Sequence, residues 1–351
     1  MTSFWDNLPQ PFFILAPMEA VTDVVFRHVV KQAGAPDVFF TEFANATGWV
    51  HAGDKAIAGR LIKTDNEHLL VAQIWGGEPG DMEQFAGYCA RLGFDGIDIN
   101  MGCPAKSAIK SGGAALIHRP DVAVAAIAAA KTAGLPVSVK TRLGYTYIDE
   151  WREWLTTILQ QDIVNLTIHL RTKKEMSKVA AHYELIDEIV KLRDEIAPQT
   201  LLTVNGDISD REHGLEIARK HPGVNGIMIG RGVFSDPFCF RRTVESSSVE
   251  EAVTGASSPV SRTLRAGEAT RKEYSEAEDS STIHHKSELI ALLHYHLDLF
   301  DHYQPTLGRP YETLKRFFKI YIRDFDGAKE LREQLMNTKT TNEVRQILEN
   351  I

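Results

Sequence analysis

The feature that most constrains the fold is a regular alternation of short apolar runs with amphipathic segments over the first two thirds of the 351-residue chain. Such continuous apolar runs are typical of strands buried on both faces in a parallel sheet. Eight of them predict an α/β protein built on a (β/α)8 TIM barrel. A doubly wound open sheet is the competing fold, but no G-x-G-x-x-G follows the first run. The runs are residues 13–16, 38–41, 69–73, 96–100, 137–140, 165–169, 201–205 and 226–230.

Helices are predicted between these runs. Thr22, Asp121 and Asp210 stand at the starts of three of them, and each has a side-chain oxygen that can cap a helix N-terminus. We therefore expect these three residues to be N-caps. The clearest helical segments are residues 22–33, 81–92, 121–133 and 210–220.

Polar side chains follow the apolar runs where the predicted strands end. In a barrel all of these ends meet at one mouth, where active sites of this fold lie. A single polar residue at a strand end is usually structural, but six strand ends carry them here. We therefore expect a functional site made from Gln73, Asn100, Cys103, Lys140, Arg142, His169, Asn205, Gly206, Asp207, Gly230 and Arg231.

Cys103 lies on a sharp turn directly after the fourth run, between Gly102 and Pro104. A free cysteine is most often a small buried core residue, and that interpretation stands beside a catalytic one. A thiol with an ordinary pKa of about 8.5 is protonated at neutral pH and can give a proton to a carbon. Beside a flavin, such a thiol could complete the reduction of a polarised C=C bond.

The last two strand ends predict a phosphate site, because barrels usually bind phosphate there. The backbone N–H groups of Gly206 and Gly230 can approach an anion closely, and Arg231 can donate a charge-assisted hydrogen bond. One phosphate site beside one site for a planar ring fits flavin mononucleotide (FMN). The ring would lie against Gln73, Lys140 and the apolar residues 16–18.

Cysteine content and charge exclude several classes of protein. The three cysteines form no C-x-x-C pair, so disulfides, structural zinc and a four-cysteine iron–sulfur cluster are not expected. The N-terminus lacks the pattern of a signal peptide, and no apolar run approaches the roughly 20 residues of a membrane helix. We expect a cytoplasmic protein with no metal and no membrane span. A net charge of −8 argues mildly against a nucleic-acid partner, although local patches decide binding.

The chain is predicted to divide into a barrel domain (1–243), a polar, acidic linker or insertion (244–287) and a small all-helical domain (288–351). In the helical domain, one predicted helix carries an apolar face from Leu314 to Ile322. A second face of the same helix is basic and is either a solvated surface or a stripe for phosphates. The stripe consists of Lys315, Lys319 and Arg323.

Six motifs along the chain carry a resemblance to a known family. The most specific is DINMGCP at residues 98–104, with Ser111, Gly112 and Gly113 downstream. The other motifs are LAPMEAVTD (15–23), SVKTRLG (138–144), HLRTK (169–173), NGD (205–207) and MIGRG (228–232). In these motifs the chain resembles the bacterial tRNA-dihydrouridine synthases, and the similarity runs from about residue 12 to 240 and resumes in the C-terminal helices.

This resemblance implies an FMN-dependent oxidoreductase that reduces a D-loop uridine of tRNA to dihydrouridine, with NADPH as the reductant. Cys103 would be the general acid that protonates uracil C5 after hydride from the flavin reaches C6. No oligomer is required, and the pair Met18-Glu19 resembles the branch that acts on position 16. The implied FMN contacts are Pro17, Met18, Glu19, Gln73, Lys140, His169, Asn205, Gly206, Asp207, Gly230 and Arg231. The implied substrate contacts are Asn100, Arg142, Arg171, Lys315, Lys319 and Arg323.

The sequence departs from the family pattern at two positions. Ala20 stands where the family commonly has glycine, and residues 173–178 (KKEMSK) replace an expected Gly-Tyr. Two other functions stay open at this point. One is an FMN barrel enzyme acting on a free pyrimidine or a small enone, against which the basic C-terminal helix argues. The other is a tRNA-binding flavoprotein that mainly assists folding, against which Cys103 argues.

Overall fold

A computed structural model describes residues 3–242 and 271–351, with side chains described from residue 285 in the second range. Its sheet is wholly parallel, and the pairings β1–β9 and β2–β4 close eight strands into a barrel. The predicted TIM barrel is therefore confirmed. A short extra strand, β3, pairs only with the end of β4. The strands are β1 (Phe12–Leu15), β2 (Val38–Phe40), β3 (Ala44–Asn45), β4 (Leu70–Trp75), β5 (Gly96–Asn100), β6 (Val137–Arg142), β7 (Asn165–His169), β8 (Leu201–Asn205) and β9 (Gly226–Ile229).

The helices predicted around the barrel are present, but two of the expected caps are wrong. Asp23, and not Thr22, caps α1 by accepting a hydrogen bond from the Phe26 N–H. Asp121 lies in the first turn of α5, after Pro120, whereas Asp210 caps α8 as predicted. The helices of this part are α1 (Val24–Gly34), α2 (Ala46–Ala52), α3 (Asp54–Ile57), α4 (Pro79–Arg91), α5 (Pro120–Lys131), α6 (Trp151–Leu159), α7 (Ile186–Ile196), α8 (Arg211–Lys220) and α9 (Gly232–Ser235).

Side chains alternate along each strand between the barrel interior and the surrounding helices. On β1, Phe12 and Ile14 belong to the inner cluster, whereas Phe13 and Leu15 belong to the outer one. Strands β4 and β6 extend beyond the apolar runs from which they were predicted. Gln73 and Lys140 therefore lie inside strands that run two residues further, and not at strand ends as predicted.

The C-terminal helices pack on the barrel beside α1. Phe317 contacts Phe26 of α1 and His296, with ring centroids 5.0 Å apart in both pairs. The single helix predicted around Leu314–Ile322 is wrong, because the chain forms two separate helical turns there. The helices are α10 (Arg271–Leu307), α11 (Glu312–Lys315), α12 (Phe318–Tyr321), α13 (Ala328–Met336) and α14 (Thr341–Leu348).

The predicted linker at 244–287 is only partly within the described residues. Residues 271–287 form the beginning of α10, so the helical region starts earlier than residue 288. The remainder of the predicted linker lies outside the described residues. The domain boundaries otherwise stay a prediction.

Arg309 fastens the helical region to the loop that follows β1. Its guanidinium pairs with Asp23 at 3.0 Å and with the fully buried carboxylate of Glu42. Glu42 in turn accepts a 2.5 Å hydrogen bond from the Ala20 N–H, and Arg316 donates to the Ala20 carbonyl at 3.2 Å. We call Asp23, Glu42 and Arg309 the Arg309 clamp.

Within residues 3–242 and 271–351, no single helix is long and apolar enough to cross a membrane. The helical stretches 108–118 and 120–131 reach that length and composition only as a pair bent by 108°. The same described residues contain no group of three or more His, Cys, Asp or Glu side chains placed to hold a metal ion. The expected absence of a metal stays a prediction.

Replacing Arg309 with alanine should destabilise the protein by about 3 kcal/mol, because two buried carboxylates would lose their shared cation. Urea unfolding measures this change. Arg345→Ala is the matched control, since its partners Asp298 and Asp301 are exposed and such pairs contribute about 1 kcal/mol or less. Equal losses in the two variants would contradict a stabilising role of the clamp.

Candidate active site

A chain of hydrogen bonds between buried polar side chains crosses the barrel interior. Ser138 donates to one oxygen of Asp98 at 2.6 Å, and Gln73 donates to the other at 2.7 Å. The Gln73 carbonyl accepts from the Asn100 amide at 3.0 Å. Burial raises the pKa of Asp98 to about 6, so the carboxylate is anionic at neutral pH and depends on these donors.

The Asn100 side chain connects this chain of hydrogen bonds to the turn that carries Cys103. Its side-chain oxygen accepts from the backbone N–H of Gly102 at 3.1 Å and of Cys103 at 2.9 Å. Arg142 donates to the Gly102 carbonyl at 2.7 Å from the next strand. The Cys103 carbonyl accepts from the Ala114 N–H at 3.1 Å. The turn is therefore fixed by the barrel interior on one side and by the following loop on the other.

The Cys103 thiol is half-buried and opens into a cleft of about 570 Å³. This volume is in the range of small-ligand sites. Burial raises the pKa of Cys103 above its ordinary value, and the nearby cation of Arg142 only partly offsets that effect. The thiol is therefore protonated at neutral pH. The cleft is also lined by Pro17, Met18, Glu19, Phe43, Arg60 and Trp75.

Lys140 and His169 face the same mouth, but Lys140 is charged at pH 7 and His169 is neutral. Lys140 donates to the Asn205 side-chain oxygen at 3.2 Å, and burial lowers its pKa to about 8, so it stays a cation at pH 7. Burial, reinforced by Arg142 and Lys140, lowers the pKa of His169 so far that its ring is neutral. The Arg142 guanidinium can only donate, and it lies 3.4 Å from His169 Nδ1. The ring proton is therefore on Nε2, which leaves an N–H donor.

The turn after β8 brings two arginines together. Asp207 accepts from Arg171 and, at 2.9 Å, from Arg231. Gly206 has a φ of +131°, a conformation that favours glycine. Arg171 Nη1 is buried and has no hydrogen-bond partner among the described residues, and it lies 3.6 Å from the position a Cβ on Gly206 would take. This unpaired donor beside a glycine turn suits an anion such as a phosphate.

Comparison with known proteins adds to this geometry. The family model described as "Dihydrouridine synthase (Dus)" matches residues 14–351. The chain belongs to the dihydrouridine synthase family. It is 54% identical over 349 residues to a protein of Bacillus subtilis strain 168 named "Probable tRNA-dihydrouridine synthase 2", covering 99% of this chain and 96% of that protein. The resemblance predicted from the motifs is thus confirmed at the level of the family.

Two further matches are a relative with high sequence identity and a solved structure with low identity. A "Probable tRNA-dihydrouridine synthase" of Staphylococcus aureus strain Mu50 is 51% identical, covering 99% of this chain and 95% of that protein. A solved structure of a variant of NCR from Zymomonas mobilis matches with a TM-score of 0.45 and 16% identity, over 68% of this chain and 89% of that one. A structural likeness at this level carries no argument about function.

Most of the site residues implied by the Dus resemblance lie together at the barrel mouth. Three of them, Glu19, Asp207 and Arg171, form ion pairs within the protein that were not expected. Glu19 pairs with Arg60 at the rim of the cleft. Asp207 is held between two guanidinium groups. Arg171, expected to bind substrate, is only 1% exposed, because its side chain is buried against Asp207 and the Val179 carbonyl.

The predicted basic stripe is also changed by the structure. Lys315 and Lys319 do line one cavity of about 710 Å³, together with Arg316, Lys329 and Arg332. Arg323 is not part of it, because its guanidinium donates to the backbone carbonyls of Phe234 and Ser235 on the barrel. The grouping of Arg323 with the two lysines is therefore wrong.

Sequence reasoning missed several polar residues that shape the Dus site. Asp98 and Ser138 support Gln73 from inside the barrel, and Glu42 holds the loop that carries Met18. Alternation was the available signal, since Asp98 and Ser138 occupy inward positions on strands predicted to be apolar. No sequence pattern indicated that Arg309, far along the chain, would pair with Glu42.

We expect iodoacetamide to alkylate Cys103 along a pH profile whose midpoint lies above that of a free cysteine, about 8.5. The physical reason is that burial raises the folded-state pKa, so the reactive thiolate forms only at higher pH. Mass spectrometry of the peptide containing Cys103 measures the rate at each pH. Cys103→Ser is the control for reaction at the buried Cys89 and Cys239. A rate that is already maximal at pH 7 would contradict the raised pKa.

Proposed function

We propose that this chain is a tRNA-dihydrouridine synthase, which reduces the C5–C6 double bond of a D-loop uridine in tRNA. The observation that carries the proposal is the half-buried Cys103 thiol, whose pKa is raised by burial, at the mouth of a barrel in a chain of the dihydrouridine synthase family. The relatives named as probable tRNA-dihydrouridine synthases support tRNA as the substrate. The position of the uridine, 16 by the resemblance, and a cytoplasmic location stay predictions.

The residues at the mouth fit FMN. The unpaired Arg171 donor, the Gly206 turn and the exposed Arg231 guanidinium provide donors for a phosphate. Gln73 keeps one amide hydrogen and one carbonyl lone pair free after its two hydrogen bonds, and Lys140 offers further donors to a ring edge. When bound, FMN would supply hydride to uracil C6, and NADPH would restore the reduced form. The flanking contacts would come from Pro17, Met18, Glu19, His169, Asn205, Asp207 and Gly230.

Cys103 would protonate uracil C5. A raised pKa keeps the proton on sulfur until a strongly basic carbon develops beside it. The nearby Arg142 cation would stabilise the thiolate that remains, and solvent then returns the proton. The side-chain oxygen of Asn100 would hold the Cys103 turn, and the amide hydrogen that its bond to Gln73 leaves free would be available to the base. The base must leave its stack to reach this site.

Changing Cys103 to alanine should lower dihydrouridine formation about 100-fold or more, since a general acid contributes that much. Single-turnover assays with unmodified tRNA, followed by nucleoside mass spectrometry, measure product. The bound flavin and its reduction by NADPH should be unchanged. Cys89→Ala is the control, because that cysteine is buried away from the mouth. Wild-type product formation by Cys103→Ala would refute the assigned role, and a wild-type protein active only on free pyrimidines would favour the small-molecule alternative.

Lys315→Ala combined with Lys319→Ala should weaken tRNA binding and reduce the slope of log K against log salt by about 2, because each phosphate contact contributes about 0.9. Arg323→Ala should leave this slope nearly unchanged, since its guanidinium faces the carbonyls of the barrel. Fluorescence anisotropy of labelled tRNA over a salt series measures both. An equal drop in slope for the two variants would show that Arg323 contacts phosphate after all.

A further inference from the structure

We propose that a second surface, made of Tyr145, Tyr147, Lys173 and Lys174, binds the single-stranded nucleotides that flank the target base. We call it the Tyr–Lys surface. It lies on the loops that follow β6 and β7, on the barrel and not on the helical region. This inference rests on the proposed function, since it takes RNA as the substrate.

The two loops that carry the Tyr–Lys surface are held in a fixed arrangement. The backbone N–H of Lys173 donates to the Gly144 carbonyl at 2.8 Å, and that of Lys174 donates to the Tyr145 carbonyl at 2.9 Å. The Glu150 carboxylate accepts from the backbone N–H of Tyr145 at 2.5 Å and of Tyr147 at 3.0 Å. A surface built this way is formed before a ligand arrives, which lowers the ordering cost of binding.

The charges of this surface favour a polyanion. The Lys173 ammonium lies 4.5 Å from the centre of the Tyr145 ring, and the Lys174 ammonium lies 5.6 Å from that of Tyr147. Neither lysine forms an ion pair with a carboxylate of the described residues. The nearby carboxylate of Glu175 is engaged by the Thr172 N–H and by His182. Two cations thus stay available for phosphates, although the whole chain carries a net charge of −8.

The ring of Tyr147 gives the surface a second mode of contact, whereas the ring of Tyr145 is partly buried beside His118. Tyr147 is 65% exposed, which is unusual for so large an aromatic side chain. Unpaired bases stack on exposed aromatic rings, and adjacent lysines or arginines bind the backbone of the same strand. The exposed Tyr147 ring beside unpaired lysines therefore matches the combination by which proteins bind single-stranded RNA.

The surface is connected to the Cys103 turn. Arg142, which donates to the Gly102 carbonyl, also donates to the carbonyls of Thr172 at 3.2 Å and Met176 at 3.1 Å. In the closed sheet, β6 lies opposite β1, and the helical region contacts the loop after β1. The Tyr–Lys surface and the basic cavity at Lys315 and Lys319 therefore flank the mouth from opposite sides.

The test uses the full-length protein and two labelled probes, unmodified tRNA and a short oligouridine. We expect Lys173→Ala combined with Lys174→Ala to weaken tRNA binding about tenfold and to reduce the salt slope by about 1 to 2. Tyr147→Ala should weaken oligouridine binding about tenfold, and Tyr147→Phe should retain it, because the ring and not the hydroxyl stacks. Lys191→Ala, an exposed lysine on α7, is the matched control.

Unchanged binding of both probes by all of these variants would overturn the proposal and leave the surface to a protein partner. Equal losses in Tyr147→Phe and Tyr147→Ala would refute stacking. Thermal unfolding that matches the wild type excludes misfolding as the cause of a loss. Since binding is measured without turnover, a wild-type protein that makes no dihydrouridine would refute the proposed function, whereas normal dihydrouridine formation with unchanged RNA binding in the variants would refute only this inference.

Discussion

The arrangement of the mouth depends on one buried carboxylate, Asp98, inside the barrel. Burying a charge without partners is costly, so the hydrogen bonds from Ser138 and Gln73 are required by the fold. Because Gln73 must donate to Asp98, its carbonyl is left to accept from Asn100, and the Asn100 oxygen is left to accept from the turn of Cys103. Each amide thus has one permitted orientation. The position of the thiol is set by the interior of the barrel and not by the surface loop alone.

Burial also determines which side chains at the mouth are charged at pH 7. It raises the pKa of Cys103 and lowers that of His169, so both groups are neutral at pH 7. Arg142 stays charged although it is buried. Burial lowers the pKa of Arg142 only to about 10, because the ordinary pKa of an arginine is so high. The mouth therefore presents fixed cations for an anion and keeps a proton on the sulfur. The proposed reduction beside a phosphate-bearing cofactor requires both features.

The alternation of apolar runs predicted the barrel well, because strands that are buried on both faces in this fold are rich in apolar residues, even where a few inward positions are polar. Polar residues near strand ends stand out against that background, which is why Cys103, Lys140 and His169 were predicted as site residues, and the structure places all three at the barrel mouth. The structural role of Asp98 was missed, because its hydrogen-bond partners lie on other strands and the neighbouring sequence does not indicate them. The contact between Arg309 and Glu42 joins residues 267 positions apart, and neither periodicity nor spacing can indicate such a pair.

The Arg309 clamp gives the helical region a part in shaping the cleft. Burial raises the pKa of Glu42 to about 7, so its negative charge at neutral pH depends on the Arg309 cation. Glu42 accepts a hydrogen bond from the Ala20 N–H, and Arg316 donates one to the Ala20 carbonyl. Ala20 directly follows Met18 and Glu19, which line the cleft beside Cys103. The Arg309 clamp therefore connects the helical region, through the backbone of Ala20, to the residues that line the cleft beside Cys103.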